Sequence, residues 1–359
     1  MQKMSDIRQP VLVVDEVRCR ANIREMQEKA ARSGLHFRPH FKTHQSVRIG
    51  QWFREAGVGS IAVSSVSMAE VFAADGWDDI MIAFPVNFRE MKRINALARQ
   101  LKLGLLVSCP QSAGKIPGQL EYPADIYLKM DVGTHRTGFY PGNTAGIKES
   151  IDRISADRHL RFRGFVAHAG HTYHAGSVAG ILRIRSEAGQ MLDSLKHQFL
   201  PAFPDLMISW GDTPSCCLSD DFGNADELRP GNFVYFDTMQ LELGVCTRDQ
   251  LAATVAAPVV ALHPERGEVV VYAGAVHLSK EQGRSQDGSV HYGMAVSYDA
   301  DGRISWPGED AFVRRISQEH GIIQMPAEAM AGLNPGDLLG IVPVHSCLAA
   351  DLLGEIHVV

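Results

Sequence analysis

The sequence predicts an α/β fold: a (β/α)8 TIM barrel followed by a C-terminal all-β domain that the N-terminal strand joins. Three observations carry this expectation. Between about residues 17 and 240, strand-like runs alternate with amphipathic helical runs, as βαβ units require. The strand-like runs number eight, which suits a closed barrel better than an open sheet. After about residue 245 the helical period stops, and apolar runs broken by turn residues take over.

In chain order, "PVLVVDE" is an early apolar run assigned to the β-domain. The barrel strands are "LHFRPHF", "GSIAVSSV", "DIMIAFP", "LKLGLLVS", "DIYLKMDVG", "LRFRGFVAHAG", "DLMISWG" and "NFVYFD". Most are continuously apolar or β-branched, as strands buried on both faces tend to be. Helical patterns lie between several of them, including "VRCRANIREMQEKAARSG", "SMAEVFAADG" and "VAGILRIRSEAGQMLDSLKHQF". The barrel is expected over residues 17–243, and the β-domain over 1–16 with 244–359. "LAATVAAPVVALHPERGEVVVYAGAVHLS" and "HYGMAVSYDADGRISWPG" carry the β texture there.

Composition narrows the function. A chain of 359 residues that is 45% hydrophobic can bury a large core. Its formal charge of -6 argues against a nucleic-acid partner. No apolar run reaches the roughly 20 residues of a membrane helix. The opening "MQKMSDIRQP" lacks a signal-peptide core, so a cytoplasmic protein is expected. The six cysteines show no framework spacing and read as small buried hydrophobes, Cys347 excepted.

A barrel gathers chemistry where its strands end. The first candidate strand runs into "HFRPHFKTHQS", with Arg38, His40, Lys42 and His44 on alternate positions. On one extended segment these cations share a face and repel unless an anion sits among them. "DVGTHRTG" ends the fifth with Asp131, His135 and Arg136, and "HAGHTYH" ends the sixth with His168, His171, Tyr173 and His174. "GDTPS" after the seventh offers Gly211, Asp212 and Thr213 at a helix start, a cup for an anion such as phosphate. An ordinary capping turn reads that stretch equally well. Near the C-terminus, His345 and Cys347 stand two apart on an expected strand and can share one cation, for which thiolate and imidazole favour Zn2+. A buried histidine beside a core cysteine is the alternative.

Taken together and in order, "RPHFKTH", "DVGTHRTG", "HAGHTY", "GDTPS", "ELRPGNFVYFD" and "HSC" resemble the fold-type III pyridoxal-phosphate enzymes with an alanine-racemase-like barrel. Within these the likeness is to the D-threonine aldolase and eukaryotic-type D-serine dehydratase family, and it spans nearly the whole chain. The resemblance implies that Lys42 binds the aldehyde of pyridoxal 5'-phosphate and shuttles the Cα proton, with Arg38, His40 and His44 tuning the site. It implies phosphate contacts from Gly211, Asp212 and Thr213, and Tyr173 and Arg136 near the cofactor ring. His345 and Cys347 would bind a divalent metal, Zn2+ with Mn2+ as the alternative. The implied activity is a lyase on a D-3-hydroxy amino acid, a dehydratase or an aldolase. In the aldolase, His171 or His174 would be the base. A homodimer is also implied. A racemase on the same barrel and a non-catalytic carrier of pyridoxal phosphate are the competing readings.

Overall fold

The computed structural model of the chain describes residues 4–285, 287–299, 301–306 and 311–359. It divides into two compact units. The first takes in the chain up to Ile23, Thr43–Gln45 and Asn232–Val359; the second takes in Arg24–Lys42 and Ser46–Gly231. The N-terminal strand β1 (Val11–Val14) belongs to the first unit.

The second unit is built on eight parallel strands: β2 (His36–Phe37), β3 (Ile61–Val63), β4 (Asp79–Pro85), β5 (Lys102–Val107), β6 (Ala124–Lys129), β7 (Leu160–Ala167), β8 (Met207–Trp210) and β9 (Glu227–Leu228). They lie in the order β2-β9-β8-β7-β6-β5-β4-β3. The sheet curls closed just past β2, where His40 bridges to Ala62 and the Phe41 amide donates to the Ala62 carbonyl at 2.8 Å. Ala62, Met81, Leu106, Tyr127 and Val166 fill the interior as one buried cluster. Helices return the chain between strands, and Ser46, Ser65, Asn143 and Ser177 cap four of them by accepting a first-turn amide.

Seven of the eight expected barrel strands are present. The eighth is not "NFVYFD": residues Asn232–Val234 form a short 3-10 turn, and the closing strand is Glu227–Leu228 just before it. Arg229 and Pro230 follow directly, and proline offers no amide for a ladder.

The cationic stripe is also corrected. The chain stays extended only over His36–Phe37, then turns over residues 41–44. Arg38 is buried inside the barrel, its Nε donating to Glu227 Oε2 at 2.7 Å and its Nη1 to Asp79 Oδ1 at 2.6 Å. It therefore does not tune the rim. His44 falls in the first unit. The turn itself is anchored by Phe41, fully buried among Phe53, Phe72 and Trp77 with ring centroids 4.9–5.2 Å away. Burial of one such ring contributes about 1.5–3 kcal/mol, and each edge-on partner adds roughly 0.5–1.5 kcal/mol.

In the first unit, β10 (Ala253–His263) and β11 (Glu268–Tyr272) close a barrel with Gly293–Tyr298, Ala311–Ile316, His320–Gln324 and Leu338–Pro343, antiparallel throughout. A bulge between Val259 and Ala261 bends the long β10. β1 lies antiparallel on β10, Val11 opposite Ala256, and parallel to Ile356–Val358. The expected joining of the N-terminal strand to the β-domain is thus observed. Among the described residues, no helix is long and apolar enough to cross a membrane.

Candidate active site

Each rim residue is placed by the end of a barrel strand. Lys42 projects, exposed, from the turn that buried Phe41 holds. Its amide donates to His40 Nδ1 at 3.3 Å. Lys129 is the last residue of β6 and only 7% exposed. Burial first, then Arg136 and Arg229 beside it, pull the Lys129 ammonium down to about 8, while Asp131 acts the other way. Asp131 is already engaged by the amides of Gly133 and His135, at 3.1 and 3.0 Å.

His168 follows β7 directly, and its Nδ1–H donates to the Gly211 carbonyl at 2.6 Å. Burial, then Lys42, Arg229, Arg136 and Lys129, hold its imidazole well below the ordinary value. His168 is therefore neutral, and four basic side chains act on it. Positive charge gathered on one strand-end rim favours an anion among it.

The anion cup lies at the end of β8. Gly211 lets Arg229 pack closely there: an added Cβ would stand 3.0 Å from Arg229 Nη1 and 3.1 Å from the Arg229 carbonyl, tighter than ordinary contact. Asp212 is the N-cap of the short helix Thr213–Leu218. Its carboxylate accepts from the Ser215 amide and Ser215 Oγ, both at 2.8 Å, and from Thr172 Oγ1 at 3.1 Å. That side chain is turned inward as scaffold. The Thr213 amide reaches Tyr173 Oη at 3.4 Å, while the buried Thr213 Oγ1 has no hydrogen-bond partner among the described residues. An orphaned hydroxyl beside a ring of cations is the chemistry that a phosphate satisfies. The residues present thus fit pyridoxal phosphate.

Of the histidines beyond β7, His174 stands exposed on the turn Gly170–His174. His171 is partly buried, its Nδ1 3.3 Å from Thr134 Oγ1 and its ring against Gly133. Partial burial lowers its pKa, with Asp131 opposing.

In the first unit, His345 and Cys347 do not share a strand. Leu338–Pro343 ends before them; His345 caps the helix Ser346–Leu353, and Cys347 lies in its first turn. Thr43 Oγ1 sits 3.2 Å from Cys347 Sγ. Burial disfavours the His345 cation, but the Cys347 thiolate and Asp237 outweigh it and push the pKa up to about 11. Imidazole beside a thiol is a soft donor pair once both are deprotonated, so the two residues fit a divalent cation such as Zn2+. Among the described residues, no three side chains of metal-binding type gather, so two protein ligands would leave positions open.

Sequence reasoning passed over Lys129 and Arg229. Each is a cation inside an apolar strand or directly at its end, and charged residues are seldom fully buried without a reason. That was the available signal.

Fold and site together define a class, the fold-type III pyridoxal-phosphate-dependent lyases. The chain belongs to the family of the alanine racemase N-terminal domain, whose model matches residues 14–239. The model described as "Putative serine dehydratase domain" matches residues 252–359. The D-serine dehydratase of Dictyostelium discoideum is 29% identical over 97% of this chain and 92% of its own. The D-threo-3-hydroxyaspartate dehydratase of Delftia sp. (strain HT23) is also 29% identical, over 94% and 90%. The solved structure of the Delftia enzyme superposes with a TM-score of 0.90, covering 100% of this chain and 96% of that one at 25% identity. The D-threonine aldolase of Filomicrobium marinum shares the fold, with a TM-score of 0.82 at 22% identity over 97% and 91% of the two chains.

Proposed function

We propose that this chain dehydrates a D-3-hydroxy amino acid to a keto acid and ammonia, using pyridoxal phosphate and a divalent metal. The observation that carries the reading is the buried, partnerless Thr213 hydroxyl (among the described residues) next to Gly211, at barrel strand ends where Arg229 packs against Gly211 and the charges of Lys42, Lys129, Arg136 and Arg229 act on His168. Pyridoxal phosphate, when bound, supplies an electron sink for charge developing at Cα. A divalent cation supplies a Lewis acid for a 3-hydroxyl.

The chain's own residues do the rest. Lys42 binds the aldehyde and takes the Cα proton on Nζ. The Gly211–Thr213 backbone and Thr213 Oγ1 hold the phosphate, and Tyr173 and Arg136 border the ring. His168 keeps its Nδ1 proton on the Gly211 carbonyl. Its Nε2 is therefore unprotonated and adds no positive charge to the site. His345 and Cys347 hold the metal; a D-threo-3-hydroxyaspartate dehydratase with a cysteine-to-alanine substitution has been solved in a metal-free form, which supports this assignment.

The neutral His171 favours a second reading, because carbon–carbon cleavage needs a base for the hydroxyl proton. Product analysis discriminates. With D-serine, D-threonine and D-3-hydroxyaspartate, keto acid and ammonia are expected; glycine and an aldehyde would mean aldol cleavage. Lys42→Ala should abolish turnover and visible cofactor absorbance, and a Lys42→Ala variant that retains both refutes the assignment. The homodimer and the cytoplasmic setting belong to the same reading, and sedimentation at micromolar concentration tests the first.

A further inference from the structure

Resting on the metal assignment just given, we infer that Asp237 and Asn232 form the outer layer of that metal site, as positioning residues that aim His345 and Cys347. Asp237 is fully buried, and its Oδ2 lies 3.4 Å from His345 Nδ1. The same oxygen accepts from the Ser346 amide at 2.9 Å, so one carboxylate fixes the backbone that follows the imidazole and faces its ring at ion-pair distance. With Nδ1 turned toward that carboxylate, Nε2 is the ring nitrogen left for a metal.

Asn232 extends the grip to the second ligand. Its Nδ2 donates to Asp237 Oδ2 at 2.6 Å and to Ser346 Oγ at 3.0 Å, and it stands 3.8 Å from Cys347 Sγ. A carboxylate only accepts, so the amide must turn its NH2 toward Asp237. The same group lies alongside the sulfur, so the Asn232 amide ties the position of Cys347 to that of Asp237. Asp237 spends Oδ1 on the Gln240 amide and Oδ2 on the Asn232 and Ser346 donors, so it acts through His345 rather than as a third ligand.

Charge can be separated from structure here. Asp237 also caps the helix Thr238–Glu242 by accepting from the Gln240 amide at 3.0 Å. Asparagine caps as well as aspartate does. Asp237→Asn therefore preserves the cap and removes the charge.

The test is zinc affinity of the full-length chain, by competition with a chromogenic chelator, with the melting temperature of the metal-stripped protein as control. Wild type should bind zinc, and His345→Ala and Cys347→Ala should not. Asp237→Asn should bind about 10–100-fold more weakly while its metal-stripped melting temperature holds. Equal affinity in Asp237→Asn and wild type overturns the inference and leaves the metal assignment standing. Wild type that takes up no zinc overturns the metal assignment and this inference with it. Should Asp237→Asn fail to fold, Asn232→Ala serves with Co2+ as the probe. A shifted thiolate-to-cobalt band and weaker binding are expected, and an unchanged band with unchanged affinity overturns the inference.

Discussion

The Arg38 guanidinium and the Glu227 carboxylate meet at 2.7 Å inside the barrel, although 189 residues separate them in the chain. Asp79 holds the other side of the guanidinium. Glu227 in turn accepts from Ser209 Oγ at 2.6 Å, and Ser209 Oγ accepts from Arg229 Nε at 2.9 Å. One buried polar chain thus runs from Arg38 to the cation beneath Gly211, so a structural ion pair positions a residue of the candidate site. Burial pushes the Glu227 and Asp79 carboxyls up, but Arg38 outweighs it and both lie below their ordinary values.

Breaking that pair should be costly and pH-dependent. Arg38→Met leaves Glu227 buried without its cation, a loss of about 3–5 kcal/mol in urea unfolding at pH 7. In wild type the depressed carboxyls contribute stability above their unfolded values and lose it as pH falls through their folded ones. Without Arg38, burial alone raises Glu227, which is relieved by protonation. The deficit of Arg38→Met should therefore shrink as pH falls toward 5; a constant deficit would show that Glu227 is not the group responsible.

Thr213→Val separates folding from binding. The substitution removes a buried hydroxyl that has no partner among the described residues, so the cofactor-free chain should keep its stability or gain up to about 1–3 kcal/mol. A hydrogen bond to a phosphate oxygen contributes about 1.5–3 kcal/mol, so pyridoxal phosphate should bind roughly 10–100-fold more weakly. Absorbance titration reads the second quantity and calorimetry the first.

Lys129 makes anion retention depend on pH. Its ammonium titrates at about 8, so raising pH through that value removes one positive charge from the cluster. Affinity for inorganic phosphate should fall between pH 7 and 9. In Lys129→Met, binding at pH 7 should be weaker and its decline over this interval shallower. A variant with the wild-type pH profile would exclude Lys129 as the titrating group.

Gly133→Ala probes His171. Gly133 has φ +116°, a backbone that L side chains rarely adopt, and an added Cβ would lie 3.1 Å from His171 Cε1. The ring must shift. Cofactor absorbance and keto-acid formation should persist, because the contacts assigned to phosphate lie after β8 and dehydration draws on Lys42, while any glycine formation drops. His171→Asn should do the same without the backbone strain; lost keto-acid formation in His171→Asn would give His171 a part in dehydration.

The sequence by itself determined the alternation of strands and helices, the switch to β texture near residue 245, and the order of motifs that end in Lys42, Tyr173, Thr213 and Cys347. Those features rest on local period and composition, which short stretches of chain carry on their own. Only the tertiary structure decided what the charges do. "HFRPHFKTHQS" reads as one cationic face, yet Arg38 turns inward because its partners Glu227 and Asp79 come from distant strands. The converse holds for Lys129: within "DIYLKM" it is a lone cation, and its meaning appears only when Arg136, Arg229 and His168 converge beside it. His345 and Cys347 are expected on a strand but stand at the mouth of the helix Ser346–Leu353, since a two-residue spacing suits a helix start as well as a strand. Charge acts through space over distances that sequence separation does not measure, so the folded chain alone settles which cations are paired and which wait for an anion.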